Sequence, residues 1–401
     1  MLGSTFILLC MQNAPGAPTT PSAAHADTLQ AEQQPNTLRL DIPGDLRFFG
    51  KLNADWAAID ADAGLEAATG KFGNGARMRR ARIGLIGEIH PSVDLKFTAD
   101  LAAAEVRDAY FDVHDLVGDG FLRLGHFREP IGLSNQTPSH WLTFLERPLS
   151  SSLFPSRNLG MAWRREWEPE LATVTVGVFR ETDDSGDSLD DGSGNELALT
   201  GRGTWVPYQA DNQRQMLHLG SSLSWRNPDN GLVSFDGDPG TVIGPSLIDS
   251  GDVAASEVLM VGAEAAWKTG ATVFSGEVEY ARIEQDANSP AMLGWYLQAS
   301  HFLSGEERQY KLSRPTFAPA DPLHPRLGAE ADGWGAWELG LRYSQLDLTD
   351  QSVAGGEAHN VGVALNWYLS AHLRLQTNIF RVTRDGDGDA NVFVMRFHLD
   401  F

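Results

Sequence analysis

Apolar and polar residues alternate with a period of two along nearly the whole chain, in runs broken by Gly, Asp, Asn and Pro. Near the start, Leu46, Phe48, Leu52, Ala54 and Trp56 alternate with Arg47, Lys51, Asn53 and Asp55. Farther on, Ala81, Ile83, Leu85, Gly87 and Ile89 alternate with Arg80, Arg82, Glu88 and His90. After the turn His90-Pro91-Ser92, Val93, Leu95, Phe97, Ala99 and Leu101 alternate with Asp94, Lys96, Thr98 and Asp100. Successive side chains of a strand point to opposite faces, so each run makes one apolar and one polar face. The pattern persists to the last residue: Phe393, Met395, Phe397, Leu399 and Phe401 are apolar at every second position. A soluble sandwich accounts for one or two such runs, not for an unbroken series.

These runs predict about sixteen strands of roughly 9–14 residues, the length that crosses a bilayer at a tilt. Their starts fall near residues 45, 77, 93, 105, 120, 159, 171, 195, 214, 256, 271, 292, 333, 357, 372 and 391. Connections alternate short and long, the asymmetry of periplasmic turns and extracellular loops. Lys268-Thr269-Gly270 and Ser370-Ala371-His372 are short; 57–76, 128–158 and 227–255 are long. The stretch 304–333 breaks the rule, being long where a short turn is due. Trp56, Trp163, Trp205, Trp225, Trp267, Trp295, Trp337 and Trp367 fall near strand ends, as an aromatic girdle at the headgroups requires. The fold class predicted is all-β, a transmembrane antiparallel β-barrel of about sixteen strands.

Composition agrees. No 18-residue apolar run exists that could cross a membrane as a helix, and lipid-facing strands need apolar residues only at alternate positions. Cys10 is the only cysteine, so no disulfide framework or thiolate metal site forms within one chain. Leu2 to Met11 is apolar and Ala24-His25-Ala26 offers a cleavage site, although a basic n-region is missing. The expected organisation is a leader at 1–26, a periplasmic linker at 27–44 and an outer-membrane barrel at 45–401. The net charge of −22 argues against nucleic acid as a partner.

Six segments resemble the phosphate-selective porin O and P family: "RRARIGLIGEI" (Arg79 to Ile89), "LRLGHFREPIGLSNQTPSHWLTFLERPL" (Leu122 to Leu149), "PSRNLGMAW" (Pro155 to Trp163), "WYLQASHFLSGEERQY" (Trp295 to Tyr310), "ELGLRYSQLDL" (Glu338 to Leu348) and "VGVALNWYLS" (Val361 to Ser370). Their order and spacing fit the family over most of Asp45 to Phe401. The resemblance implies a 16-stranded barrel, a homotrimer, passive passage of small solutes, and basic residues that guide anions. It also implies that the third long loop, 128–158, folds into the lumen as a constriction. Pro130, Pro138, Pro148 and Pro155 stiffen that loop, while Trp141, Phe144, Leu145 and Phe154 give it side chains to bury. The terminal Phe401 resembles the signal by which the barrel-assembly machinery recognises such chains.

A pore that recognises phosphate needs guanidinium or ammonium groups in the lumen, which replace lost hydration and match tetrahedral oxygens. Strand parity offers Arg80, Arg82, Lys96, Arg123, Arg342, Arg374 and Arg396, and the third loop offers Arg128, Arg147 and Arg157. Of these, Arg80, Arg82, Arg123, Arg128, Arg147 and Arg157 form the expected anion-binding set. The opposing reading is a set of wall arginines paired with carboxylates. By parity roughly thirteen basic and roughly thirteen acidic side chains face the lumen, a near-neutral wall. Surplus negative charge then sits in loops, at Asp183, Asp184, Asp187, Asp190 and Asp191 and at Asp236, Asp238, Asp249 and Asp252. Outer-membrane lipid and small anions are the expected partners, with a non-selective or cation-preferring pore as the alternative.

Asp385-Gly386-Asp387-Gly388-Asp389 has calcium-loop spacing, but Arg396 stands where the bidentate Glu belongs, so it reads as an acidic hairpin tip. No G-x-S-x-G, H-E-x-x-H or P-loop occurs, and no cofactor or metal is implied. An outer-membrane hydrolase would need a Ser or carboxylate beside a His at the rim; a closed envelope binding protein would need no open pore.

Overall fold

The computed structural model describes residues 38–39, 45–183, 197–228 and 231–401. Among them sixteen long strands form the wall. The first eight are β1 (Asp45–Ala61), β2 (Gly75–His90), β3 (Val93–Asp100), β4 (Glu105–His114), β5 (Phe121–Arg128), β6 (Arg157–Trp167), β7 (Ala172–Arg180) and β8 (Ala198–Ala210). The rest are β9 (Gln215–Arg226), β10 (Glu257–Thr269), β11 (Thr272–Glu284), β12 (Ala291–Phe302), β13 (Ala336–Asp350), β14 (Val353–Tyr368), β15 (Leu373–Arg384) and β16 (Gly388–Asp400). Every start lies within four residues of its expected place. Each strand pairs antiparallel with the next, and β1 closes the barrel on β16 from Lys51↔Asp400 to Ala61↔Ala390. Closure leaves no edge to satisfy in lipid.

Leu38–Arg39 pairs with Phe48 and Arg47 below the end of β16, and so covers the stretch of β1 that β16 does not reach. The expected leader and the remainder of the linker lie outside the described residues. So do Asp184, Asp187, Asp190 and Asp191.

Exposure follows the expected parity. On β16, Phe397 and Leu399 are exposed, while Arg396, His398 and Asp400 between them are buried toward the lumen. Leu52, Trp56, Ile83 and Phe97 likewise face outward. The girdle forms as paired rings: Trp337 stacks on Trp367 at 5.0 Å, Tyr208 on Trp267 at 5.6 Å, and Trp56 meets Phe393 edge-on at 5.6 Å.

Two features depart from simple alternation. The half of the lumen remote from the chain ends is apolar, with Ala57, Ile59, Ile283, Leu346, Val382, Val392 and Val394 all buried. They pack on Phe144, Leu145, Leu149, Leu153 and Phe154 of the third loop and on Phe235, Leu247, Ile248 and Val253 of the connection between β9 and β10. Both loops therefore fold inward. Fully burying each large apolar side chain contributes about 1.5–3 kcal/mol, which offsets the ordering of such long loops.

The second departure is the long stretch between β12 and β13, on the side of the chain ends. It folds up inside the barrel as a small hairpin, Gln309–Lys311 against Thr316–Ala318. Tyr310 and Phe317 pack edge-on at 5.3 Å, and Thr316 Oγ1 lies 2.8 Å from Thr137 Oγ1 of the third loop. This internal hairpin is why the short-turn rule fails there.

Candidate functional site

The third loop, 129–156, is fixed by wall side chains that bond its backbone. Ser134 N donates to Glu277 on β11 at 2.7 Å, and Leu133 N donates to the same carboxylate. Leu145 N donates to Asn378 Oδ1 at 2.8 Å, and Leu149 N to Ser344 Oγ at 2.8 Å. In return, Asn366 donates to Thr143 O, Arg342 to Glu146 O, and Arg396 to Leu145 O, at 2.8, 2.9 and 2.6 Å. Arg308 of the internal hairpin segment donates to Trp141 O at 2.9 Å. A loop whose buried polar groups are satisfied from five strands holds one position.

Beside this loop lies a cavity of about 760 Å³, between β1–β6, loop residues 136–141, the internal hairpin and the β14–β16 end of the wall. Ten lysines and arginines but five carboxylates line it, counted among the described residues. The wall as a whole is mixed, yet its charge is segregated: Glu264, Glu277, Glu279 and Glu338 are buried elsewhere, under the third loop and the hairpin.

Four expected site residues line the cavity. Arg82 donates to Asp100 at 2.8 Å. Arg157 donates to Asp108 at 2.8 Å, and its Nη1 is buried with no hydrogen-bond partner among the described residues. Arg128 donates to the neutral Asn135 Oδ1 at 3.0 Å. Arg123 is clamped by both oxygens of Asp112, each at 2.7 Å, and lies 3.9 Å over the Tyr110 ring.

The other two sit outside the cavity. Arg147 turns into the third loop and donates to the carbonyls of Ser134, Asn135 and Thr137 at 2.9, 3.4 and 2.6 Å. Arg80 lies 3.4 Å from Glu146, which also pairs with Arg79 at 3.0 Å and Arg396 at 2.6 Å. Burial opposes the charge of Glu146, but Arg80, Arg396 and Arg79 hold its carboxyl well below the usual glutamate range. Arg79 joins this knot through a bulge: Asn53 pairs with Arg80 and Ala54 with Met78, so two adjacent arginines turn inward.

Lys51, Arg164, Lys311 and Arg314 also line the cavity and were not singled out from sequence. Lys51 shares the parity of Asn53 and Asp55, and Arg164 that of Ala162, so strand parity could have found both. Lys311 and Arg314 arrive on the internal hairpin, where parity has no frame. Lys51 Nζ is 2.6 Å from His140 Nδ1 of the third loop.

Higher up, burial together with Asp236 and Glu146 pushes Asp238 up to about 7, so this vestibule carboxylate carries less charge than its sequence suggests. The carboxylates of the 385–389 tip face separate partners: Asp385 His359 at 3.5 Å, Asp387 Arg384 at 2.7 Å, and Asp389 Arg381 at 2.5 Å. No group of three metal-type ligands occurs among the described residues.

Comparison with known proteins agrees with this architecture. The model of the family "Phosphate-selective porin O and P" matches residues 48–401. Porin O of Pseudomonas aeruginosa is 28% identical over 410 residues, covering 88% of this chain and 87% of that one. An uncharacterized protein of Caulobacter vibrioides is 28% identical over 377 residues, covering 88% of this chain and 73% of its own length. Among solved structures, the anion-selective porin from Comamonas acidovorans superposes with a TM-score of 0.54 at 13% identity, over 89% of this chain and 100% of that one. The outer membrane channel DcaP of Acinetobacter baumannii gives 0.55 at 12% identity, over 91% and 99%. A closed sixteen-stranded barrel with an inward third loop, matched by the family model over nearly all of its length, places this chain in the bacterial outer membrane as a member of the phosphate-selective porin O and P family.

Proposed function

We propose that this porin is a channel rather than an enzyme, and that small solutes diffuse through it with a modest preference for anions of the phosphate and pyrophosphate kind. The observation that carries the reading is the two-to-one excess of basic over acidic side chains around the cavity. Low-dielectric walls focus that field, while salt screens the acidic vestibule over about 8 Å. Arg82, Arg123 and Arg157 already hold carboxylates, which supports a modest preference rather than a strict one. Arg128, with a neutral partner, and Arg157 Nη1 are the donors best placed to meet an oxyanion.

The remaining partners belong to the same reading. Strands β3 to β6 are short, 8, 10, 8 and 11 residues, against 17 for β1 and 16 for β14. A low wall of this kind suits contact with two further copies in a homotrimer. Phe401 serves as the assembly signal.

Block of chloride current by added phosphate tests the site. Arg128→Ala combined with Arg157→Ala removes two charged donors, each worth about 1.5–3 kcal/mol, and should weaken block at least about ten-fold. Unchanged block would acquit these two residues.

A further inference from the structure

Where the third loop meets β1, two nitrogens that both favour a proton stand 2.6 Å apart: Lys51 Nζ and His140 Nδ1. While Lys51 is an ammonium it donates and cannot accept, so the contact then requires the lone pair of His140 Nδ1, with any ring proton on Nε2. If both groups are cations, donor faces donor and the contact must open. Both side chains line the cavity.

We propose that the Lys51–His140 contact is a pH-sensitive specificity element of the passage: protonation of His140 breaks it, places two cations where the loop meets the wall, and raises anion conductance. This rests on the reading of the cavity as an anion path. The charged groups that act most on His140 come from four elements, Lys51 on β1, Arg374 on β15, His398 on β16 and Arg314 on the internal hairpin, with the Trp141 ring 5.9 Å away. Lys51 in turn faces Arg80 and Arg82 of β2, Lys96 of β3 and Asp400 of β16. Asp400 adds a carboxylate to that shell, where it is engaged by His398 at 3.1 Å and His372 at 3.4 Å. At neutral pH burial and Lys51 hold His140 well below the ordinary histidine range, so it rests neutral and the contact is closed. The device therefore acts on acidification. Arg374 extends the path beyond the contact, buried with Nε and Nη2 lacking hydrogen-bond partners among the described residues.

Chloride is the suitable probe, because its own charge does not change with pH whereas that of phosphate does. Purified full-length protein in planar bilayers gives the conductance and the reversal potential in a KCl gradient at about pH 7.5 and in steps down to about pH 3.5, well under the usual histidine value because His140 is held below it. A unit charge about 6 Å from the path in a water-like medium raises local anion occupancy about three-fold and lowers cation occupancy as much, so the anion-to-cation permeability ratio of the parent should rise about ten-fold on acidification. Carboxylates also line the cavity, so the variants carry the test. His140→Gln should lose most of the rise. His140→Lys, charged throughout, should show the raised ratio at every pH, and it serves as the test should the glutamine variant assemble poorly. A parent without the rise, or a His140→Gln protein that rises as the parent does, overturns the proposal. Cation selectivity at every pH would instead overturn the anion path on which it rests.

Discussion

Phe144 is the residue at which the inward fold of the third loop can be tested with a worked magnitude. Its ring is 1% exposed, lies 5.6 Å from Phe380 and has the Arg342 guanidinium 4.3 Å above it. The wall is shaped for it: a Cβ on Gly340 would stand 3.2 Å from the ring, and one on Gly362 3.1 Å. Phe144→Ala removes the ring and leaves a void that these glycines cannot fill, at a cost of about 3–5 kcal/mol. The wall's hydrogen bonds to the loop survive, each contributing a net of about 0.5–1.5 kcal/mol. The loss falls on docking of the loop and not on the barrel ladder, so the undocked population should rise by a factor of about 10²–10⁴. Single-channel records should then show larger current fluctuations and a higher mean conductance. A protease added from outside should cut within 129–156, while the barrel keeps its resistance to detergent unfolding. Quiet channels of parental conductance, with the loop still protected, would refute the claim that apolar burial holds the constriction.

Three further outcomes are expected. Arg at Leu85 or Phe97, which pair across β2 and β3 with Phe97 exposed to lipid, should cost about 2–4 kcal/mol near the midplane in vesicle unfolding; parental stability of both would mean the register is wrong. Deleting Phe401 removes the Gly50–Phe401 backbone pair, at 2.8 and 3.1 Å, and should lower outer-membrane levels more than the stability of protein folded in vitro; normal levels would rule out the signal. Asp238 rises on folding from 3.8 to about 7, so docking of its loop is favoured in acid and loses that contribution as pH climbs through about 7. Proteolysis of 227–256 should therefore quicken between about pH 4 and about pH 7, and Asp238→Asn should flatten the trend.

The strands were legible because a wall with lipid on one side imposes period two, and sixteen starts emerged within a few residues. The inward loops were legible only in part. Aromatics in the third loop signalled burial, but its anchors, Asn366, Asn378, Ser344 and Glu277, look like any other lumen-facing polar residues. A cue did exist on the wall: Val392 with Val394 and Ala281 with Ile283 are apolar at lumen positions, which makes sense only if something apolar fills the barrel there. Arg147 was misplaced because a loop has no parity, and its direction was decided by three carbonyls of its own loop. Arg79 was missed because a bulge shifts parity by one residue, which no periodicity foretells. The near-neutral wall expected from counting concealed a segregation of charge that only three-dimensional packing produces.

The most direct test of the central claim is the reversal potential of the parent channel in a KCl gradient at neutral pH. With ten basic and five acidic side chains around the cavity, the account predicts a potential displaced modestly toward the chloride equilibrium value. Displacement toward the potassium value would contradict it.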